Sequence, residues 1–297
     1  MKTLEIKHID NLEEAKNAWN KLSPDKTICD NWDFNYCAYK YFNYPLYFYA
    51  GYDNEEMVGL LPLQYNENEK CLEFFSGGFM RDNRIFIKQD YGECIPQFYN
   101  AITKTARLIR IMGEDPFTKS LNIYKYKYIA NLSQVKDPDD YLVKKFSKES
   151  RYKVRKKIKS IELLSPQIVE NNYNDLDLMI ELNKKNFGEK SSFNKPHRAE
   201  IFRDLLKLNF DIHMLTFVIN SQKEAVSFSI KYKNVYAYIQ TGTNKNAIPN
   251  LGTYNIYKNF EKAINFGAKY LDAGVSDLGW KERWHLEKIP QYLFIKE

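Results

Sequence analysis

Residues 250–284 read NLGTYNIYKNFEKAINFGAKYLDAGVSDLGWKERW, and the order of signals in this stretch decides the fold. Its first part has the periodicity of a helix, because Ile256, Phe260 and Ile264 fall on one face. Gly267 stands where a C-terminal cap is expected, since glycine adopts the left-handed conformation that ends many helices. We therefore predict one helix over residues 252–267.

The segment after this helix predicts a strand and a second, short helix. KYLDAG (269–274) has the composition of a strand. Trp280 and Trp284 are spaced i, i+4 and share one face of a helix, with Lys281 between them. Packing of a short amphipathic helix against the core is the simplest explanation for the two indoles. It leaves the lysine to be explained.

The residues before the main helix form a predicted strand and a glycine-containing loop. YIQTG (238–242) runs through Pro249 directly into the helix. Free backbone amides and the helix dipole favour an anion at such a terminus, and Gly252 has no side chain to hold a phosphate at a distance. The pattern is neither a Walker P-loop nor GxGxxG, and a purely structural turn is the alternative. The candidate cofactor-binding residues are Tyr238, Gln240, Asn250, Leu251, Gly252 and Thr253.

The same order of predicted elements occurs twice along the chain. Each half reads as a strand, two helices, three antiparallel strands, a helix and a further strand. We predict a mixed α/β fold of two tandem domains, 1–140 and 141–297, each with a central mixed sheet flanked by helices. In the first half, Asn11 is the expected N-cap of a helix, and residues 94–109 are predicted as one helix.

A basic segment, residues 143–162, joins the two halves. Three apolar residues recur at i, i+4 and i+7 and predict one buried stripe: Val154, Ile158 and Ile161. Lysines and arginines occupy the remaining faces, and Arg151 and Arg155 are candidate substrate contacts. Either these charges form a solvated face, or they contact the phosphates of a cofactor or an RNA.

Composition excludes several classes of function. Four cysteines and four histidines, at spacings typical of no metal site, predict a protein without a metal. A net charge of +6 among 297 residues suits an anionic partner but is modest for this length. The chain lacks an apolar run long enough to span a membrane and a signal-peptide pattern at its amino terminus. We therefore expect a cytoplasmic protein with no DNA partner.

Three stretches together resemble the GNAT acyltransferase superfamily, in its FemAB-like and CelD-like tandem branch. They are VGLLPL (58–63), SRYKVRKKIKSIE (150–162) and residues 250–284, and the similarity in element order extends over nearly the whole chain. The family pattern places Pro-Gly before the helix, whereas this chain has Asn-Leu-Gly-Thr at 250–253 with Pro249 nearby. An aromatic-Lys-x-x-aromatic element closes the pattern and is matched by residues 280–284.

The resemblance implies an N-acyltransferase that takes an acyl group from acyl-CoA and transfers it to an amine acceptor, a small molecule or a peptide, bound between the two domains. Lys281 would stabilise the charge that develops on the acyl carbonyl, and Trp280 is a candidate substrate contact. Asp272 is the candidate catalytic base. Alternatively, its carboxylate holds Lys281 or caps the next turn.

Two other functions remain open at this point. A FemAB-type transferase would use aminoacyl-tRNA and act on a peptidoglycan precursor or a peptide, and a non-catalytic module would only bind anions. In the first half, Gly77-Gly78 does not lead directly into a helix, so we expect that half to have lost donor binding. Arg81 and Arg84 are expected to be solvent-exposed or to contact an acidic acceptor.

Overall fold

A computed structural model describes residues 2–245, 247–275 and 279–297. The chain divides into two compact units, Met1–Tyr126 with Ile289–Glu297, and Lys127–Lys288. We call these unit 1 and unit 2. This division differs from the predicted one at residues 140/141, because the end of the chain returns to unit 1. No helix in the described ranges is long and apolar enough to cross a membrane.

Unit 1 has the predicted α/β composition. Its strands are β1 Glu5–Ile9, β2 Leu46–Asp53, β3 Glu56–Asn66, β4 Cys71–Phe74, β5 Phe86–Ile87 and β6 Ala106–Met112. Its helices are α1 Leu12–Leu22, α2 Trp32–Tyr39, α3 Ile95–Ala101 and α4 Pro116–Lys119. Asn11 caps α1 as predicted, since its side chain accepts hydrogen bonds from two first-turn amides.

The predicted helix over residues 94–109 is wrong in its second half. Helix α3 ends at Ala101, and Ile102 is already extended, with φ −62° and ψ 119°. The following residues instead form β6, which lies parallel to β4 through Leu72↔Ala106. Sheet pairing and burial of every second or third residue therefore override the helical periodicity of ARLI.

A long strand, β7 Asn122–Asn131, connects the two units. The remaining helices are α5 Pro138–Lys145, α6 Lys148–Glu162, α7 Leu176–Phe187, α8 Arg198–Leu205, α9 Leu251–Asn265 and α10 Trp280–Arg283. The remaining strands are β8 Gln167–Glu170, β9 Asp211–Ile219, β10 Gln222–Tyr232, β11 Val235–Thr243, β12 Tyr270–Gly274 and β13 Glu287–Lys296.

The two units repeat one sheet topology. In unit 1, β1 to β4 pair antiparallel in sequence order, β4 lies parallel to β6, and β6 pairs antiparallel with β13. In unit 2, β8 to β11 pair in the same way, β11 lies parallel to β12, and β12 pairs antiparallel with β7. Each unit therefore takes its last paired strand from the other half of the sequence.

Apolar side chains fill each unit separately. In unit 2, the buried faces of α6 and α9 share a core with β7 and β9 to β12, and Ile158, Ile161 and Phe260 are buried there. Gly267 ends α9 with φ +65°, and its amide and that of Ala268 bond back to Ile264 and Ala263. This is the predicted glycine cap.

Candidate active site

Strands β11 and β12 separate after a short parallel register. Their pairing runs from Val235↔Tyr270 to Ala237↔Asp272, whereas β11 continues to Thr243. Opposite β10, the register of β11 shifts so that Ile239 is an extra residue. A bulge of this kind bends a strand and redirects its side chains. The stretch of β11 beyond the bulge leads toward the start of α9.

The N-terminus of α9 has the geometry of an anion site. Asn250 precedes it in the left-handed conformation, with φ 71°, and no described side chain caps the first turn. The side-chain amide of Asn250 instead donates to Ser160 Oγ of α6 at 3.3 Å. Gly252 is exposed, and no described atom lies within 4 Å of a Cβ built on it. First-turn amides and the helix dipole are thus directed at a position that a phosphate can approach.

Leu251 and Thr253 have different environments in this first turn. Leu251 is completely buried and anchors the turn in the core of unit 2, whereas Thr253 is half-buried. Of the four predicted residues at this terminus, Leu251 therefore has a packing role. Asn250, Gly252 and Thr253 remain the ones that a bound group can reach.

Helix α7 fixes the position of β11 at Gly242. A Cβ on this glycine would lie 2.3 Å from the backbone oxygen of Met179, so glycine is required by the close approach of the helix. Asn183 of α7 donates to the Thr241 carbonyl at 2.7 Å, and Gln240 donates to Ser192 Oγ at 2.6 Å. The predicted donor-contacting residue Gln240 is therefore already oriented by a neighbour.

Tyr238 lies beside the short helix α10. Its ring meets the Trp280 ring edge to face, with centroids 6.2 Å apart at 82°. Burial raises the pKa of Tyr238 to about 12, so this hydroxyl stays protonated near neutral pH and can donate a hydrogen bond. Two residues predicted for different roles, one on β11 and one on α10, are thus in contact.

Lys281 is buried in α10, with only 5 % of its surface exposed. Its Nζ donates to the Val275 carbonyl at 3.1 Å and lies 5.2 Å from the centre of the Tyr128 ring. Trp284 anchors the helix from the other side, since it stacks on Phe260 at 5.0 Å. A lysine held in this way can present its amine at a fixed place inside unit 2.

Asp272, near the end of β12, is buried, and both of its carboxylate oxygens have partners. Its Oδ2 lies 3.1 Å from Lys127 Nζ, and its Oδ1 accepts the Gly274 amide at 2.7 Å. Lys127 on β7 is just as buried, with 3 % of its side chain exposed. No sequence signal distinguishes this lysine from the exposed Lys125 in the alternating stretch KYKY. The sequence therefore revealed only one member of this ion pair.

The two arginines predicted to bind substrate lie on the side of α6 that faces α5. Arg155 makes a two-pronged ion pair with Asp139, and Arg151 donates to the Val143 carbonyl at 3.5 Å. The structure thus brings together Tyr238, Trp280 and Lys281. It gives Arg151 and Arg155 local partners on α5 instead.

In unit 1, the position equivalent to the β11–β12 opening is filled by the unit's own chain. Asn83 pairs with Ile111 of β6, through Asn83 N to Arg110 O at 3.0 Å and Met112 N to Asn83 O at 2.8 Å. Gln291 of β13 also holds this segment, since its side-chain amide donates to the Arg81 carbonyl at 2.7 Å. Residues 81–84 therefore occupy the edge of β6.

The expected solvent exposure of Arg84 is wrong. Only 7 % of this side chain is exposed, and its guanidinium lies 3.4 Å from Asp30 and 2.6 Å from Glu114. These carboxylates hold the pKa of Arg84 above its ordinary value despite the opposing effect of burial. Paired carboxylates stabilise a buried guanidinium, which explains why the residue is not at the surface.

Comparison with known proteins identifies the fold and one domain. Residues 148–282 match the family model of an acetyltransferase (GNAT) domain. The crystal structure of FemX is similar over 98 % of this chain and 97 % of FemX, with a TM-score of 0.63 and 12 % identity. L-PGS from Bacillus licheniformis aligns over 97 % of this chain and 93 % of its own, with a TM-score of 0.60 and 11 % identity.

A tandem GNAT protein from the clavulanic acid biosynthesis pathway covers 99 % of this chain and 98 % of its own, with a TM-score of 0.52 and 10 % identity. No curated protein matches the sequence. At these identities the structural likeness establishes the fold alone. The domain match covers the basic helix, the β11–β12 opening, α9 and most of α10.

Proposed function

Residues 148–282 match an acetyltransferase (GNAT) domain, and the fold of the chain is similar to that of FemX and of a tandem GNAT protein; from that premise we propose that the protein is an N-acyltransferase that uses acyl-CoA. The acceptor is the amine of a small molecule or a peptide. The observation that supports this proposal most strongly is the difference between the units. In unit 2, β11 and β12 separate beside the N-terminus of α9, and no described side chain caps that terminus. In unit 1, residues 81–84 fill the equivalent place beside β6.

We assign donor binding to unit 2. The pyrophosphate of acyl-CoA is placed at the first turn of α9, where Gly252 permits close approach of the backbone. The acyl arm then follows β11 past the bulge, where Tyr238 and Gln240 are the available side chains. Unit 1 takes no donor in this proposal, because Asn83 pairs with β6 and so fills the equivalent opening between β4 and β6.

The reaction forms an N–C bond and breaks the thioester C–S bond. The neutral amine attacks the acyl carbonyl and negative charge develops on the carbonyl oxygen. The C–S bond then breaks, the amine nitrogen loses one proton, and the thiolate of CoA takes up one proton. We assign Lys281 to stabilise the developing negative charge, since its position is fixed by Val275 and the Tyr128 ring. We assign Tyr238 on β11 to donate the proton to the thiolate and to take up the one that the amine nitrogen releases.

For Asp272 we propose a positioning role in place of the expected role as catalytic base. Both of its oxygens are engaged, one by Lys127 and one by the Gly274 amide. A carboxylate in a buried ion pair is a poor proton acceptor, because protonation would leave the lysine charge without its partner. The expected alternative, a cap for the turn after β12, agrees with the Gly274 contact.

Transfer of an aminoacyl group from aminoacyl-tRNA is the second candidate function. Three exposed lysines of α6, Lys156, Lys157 and Lys159, have no described carboxylate as an ion-pair partner, and RNA would supply compensating phosphates. The similarity in fold to FemX agrees with either donor. Phosphate contacts make affinity fall steeply with salt, which separates the two donors experimentally.

Thermal unfolding in the presence of candidate donors tests the proposal. CoA, acetyl-CoA, longer acyl-CoAs and bulk tRNA are each added at low and moderate salt. A donor at about 100 times its Kd stabilises by about 2.7 kcal/mol, a shift of about 4 to 8 °C. We expect a shift with an acyl-CoA that persists at moderate salt.

The matched variants are Gly252→Ala and Gly78→Ala. Neither added Cβ meets a described atom within 4 Å, so both variants should fold. Gly252→Ala should reduce the donor-induced shift, and Gly78→Ala in unit 1 should not. A salt-sensitive shift with tRNA alone would instead support aminoacyl transfer, and no shift with either ligand would support a non-catalytic anion-binding module.

A further inference from the structure

Helix α6 has a second stripe of residues on the side opposite its buried one. Tyr152, Lys156 and Lys159 recur at i, i+4 and i+7. Leu163, the C-cap residue after α6, continues the row at i+11, and Lys148 extends it by one turn at the other end. We call these five residues the outer stripe. The buried stripe of Val154, Ile158 and Ile161 is displaced from it by two residues, which is about 200° of rotation.

Large apolar side chains are exposed in the outer stripe. Tyr152 is 68 % exposed and Leu163 is 75 % exposed, so Leu163 has the highest exposure among the large apolar residues described. Single exposed apolar side chains are common on protein surfaces, but here two of them lie in one row with the lysines. Leu164, next in sequence, is 41 % exposed and widens the apolar end.

The lysines of the outer stripe have no described anionic partner. Elsewhere on α6, Lys153 pairs with Glu149 and Arg155 pairs with Asp139. No described carboxylate lies within ion-pair distance of Lys148, Lys156 or Lys159. The outer stripe therefore combines uncompensated positive charge with exposed apolar side chains, over a length of about 22 Å.

We propose that the outer stripe is a docking surface for a bilayer containing anionic phospholipids. Its lysines complement the headgroup phosphates, while Leu163 and Tyr152 enter the boundary between headgroups and acyl chains. An RNA would complement the lysines equally well, but it would leave Leu163 in water. The combination of both kinds of side chain in one row therefore favours the bilayer.

This docking surface is independent of acyl-CoA binding, since none of its five residues has a role in the proposed acyl-CoA reaction. Lys156 and Lys159 are shared only with the second candidate function, in which they would contact aminoacyl-tRNA. The protein would be held with α6 parallel to the bilayer surface, and the buried stripe of the helix would remain packed against α9. The interaction is reversible and depends on salt and on the anionic lipid fraction, because charge contributes to it at each lysine.

Cosedimentation of the full-length protein with vesicles tests the proposal. Vesicles of phosphatidylcholine with about one third phosphatidylglycerol are compared with pure phosphatidylcholine vesicles, at low and moderate salt. We expect binding to the anionic vesicles that weakens with salt. Replacing two lysines, Lys156→Gln with Lys159→Gln, should weaken it roughly thirtyfold, at about fivefold per lysine.

Two further variants separate the contribution of apolar burial from that of the lysine charges. Leu163→Ser should weaken binding roughly tenfold at unchanged charge. The control, Lys153→Gln with Lys157→Gln, removes the same charge from the same helix outside the outer stripe and should weaken binding much less. All of these positions are exposed or half-buried, and an unchanged unfolding temperature confirms that the variants fold.

Several results would overturn the proposal. The first is absence of binding to the anionic vesicles. The second is an equal loss of vesicle binding in the outer-stripe variant (Lys156→Gln with Lys159→Gln) and in its control. The third is unchanged vesicle binding in Leu163→Ser. If RNA binding alone is lost on replacing Lys156 and Lys159, and Leu163→Ser leaves it unchanged, the outer stripe is an RNA contact instead.

Discussion

Lys281 holds a buried positive charge at a place fixed by its own helix. The Lys281→Met variant keeps the aliphatic stem and removes the charge, so packing against the Tyr128 ring is retained. We expect acyl transfer to slow by about 100- to 1000-fold, the cost of losing one stabilising group at an oxyanion, while donor affinity stays within a few-fold. Steady-state kinetics and calorimetric titration measure the two quantities.

The control for this variant is Arg283→Ala in the same helix. Arg283 is exposed and donates to the Gly279 carbonyl, so its removal should change the rate little. Wild-type turnover by Lys281→Met would show that the charge has no catalytic role.

His213 gives the stability of unit 2 a dependence on pH. Its ring is buried against Phe266, with centroids 4.1 Å apart, and its Nε2 lies 2.8 Å from the exposed Asp211. Burial lowers the pKa of His213 below its ordinary 6.5, and Lys262 adds to this, while Asp211 and the more distant Glu170 oppose it. The neutral ring is therefore the form that the folded state favours.

Because the unfolded chain binds a proton at a higher pH than the folded chain does, the free energy of unfolding should decrease as pH falls through 6.5 toward the lowered pKa. Urea denaturation at several pH values between about 5.5 and 7.5 measures this slope. His213→Gln should flatten it, whereas His8→Gln, at an exposed position in unit 1, should not. Identical slopes for wild type and His213→Gln would rule out this cause.

Among the elements, the contact of α7 with β11 sets the position of this strand. In Gly242→Ala the new methyl group would meet backbone and not a flexible side chain, so α7 or β11 must shift. We expect a loss of about 2 kcal/mol in the free energy of unfolding, typical of overpacking, together with weaker donor binding. Gly92→Ala in unit 1, where the added Cβ meets no described atom within 4 Å, is the control. Equal stability of the two variants would contradict close packing at Gly242.

Most elements could be predicted from sequence, because their signals are local. The apolar stripe and glycine cap of α9, the Asn11 cap of α1 and the strand KYLDAG each depend on a few adjacent residues. The boundary between α3 and β6 was missed because the strand is fixed by β4 and β13, which are distant in sequence.

The candidate site was predictable only in part, because some of its contacts join residues that are distant in sequence. Glycines and a lysine between two tryptophans are visible in the sequence, and they led to Gly252 and Lys281. The ion pair of Lys127 with Asp272 joins residues from two distant strands, and the burial of Arg84 depends on Asp30 and Glu114. Such long-range electrostatic contacts leave no periodic pattern.

At the scale of the whole molecule, the stability of unit 1 depends on the last residues described, because unit 1 takes strand β13 from the end of the sequence. Gln291 pairs with Met112, and the Tyr292 ring packs on Gly113, where an added Cβ would lie 2.4 Å from it. A chain shortened by residues 289–297 should therefore lose hydrogen-exchange protection in β6 more than in β9 of unit 2.

Addition of a peptide of residues 289–297 should restore part of that protection, because the strand is supplied in trans. Unchanged exchange in residues 106–112 of the shortened chain would show that β13 does not stabilise unit 1.

The central claim is that the chain binds one acyl-CoA, at the N-terminus of α9 in unit 2. Isothermal titration of the donor identified by thermal unfolding measures both stoichiometry and affinity in the wild type, in Gly252→Ala and in Gly78→Ala. We predict one donor per chain, weaker binding in Gly252→Ala, and unchanged binding in Gly78→Ala. Two donors per chain, or full affinity in Gly252→Ala, would contradict the assignment of the donor site.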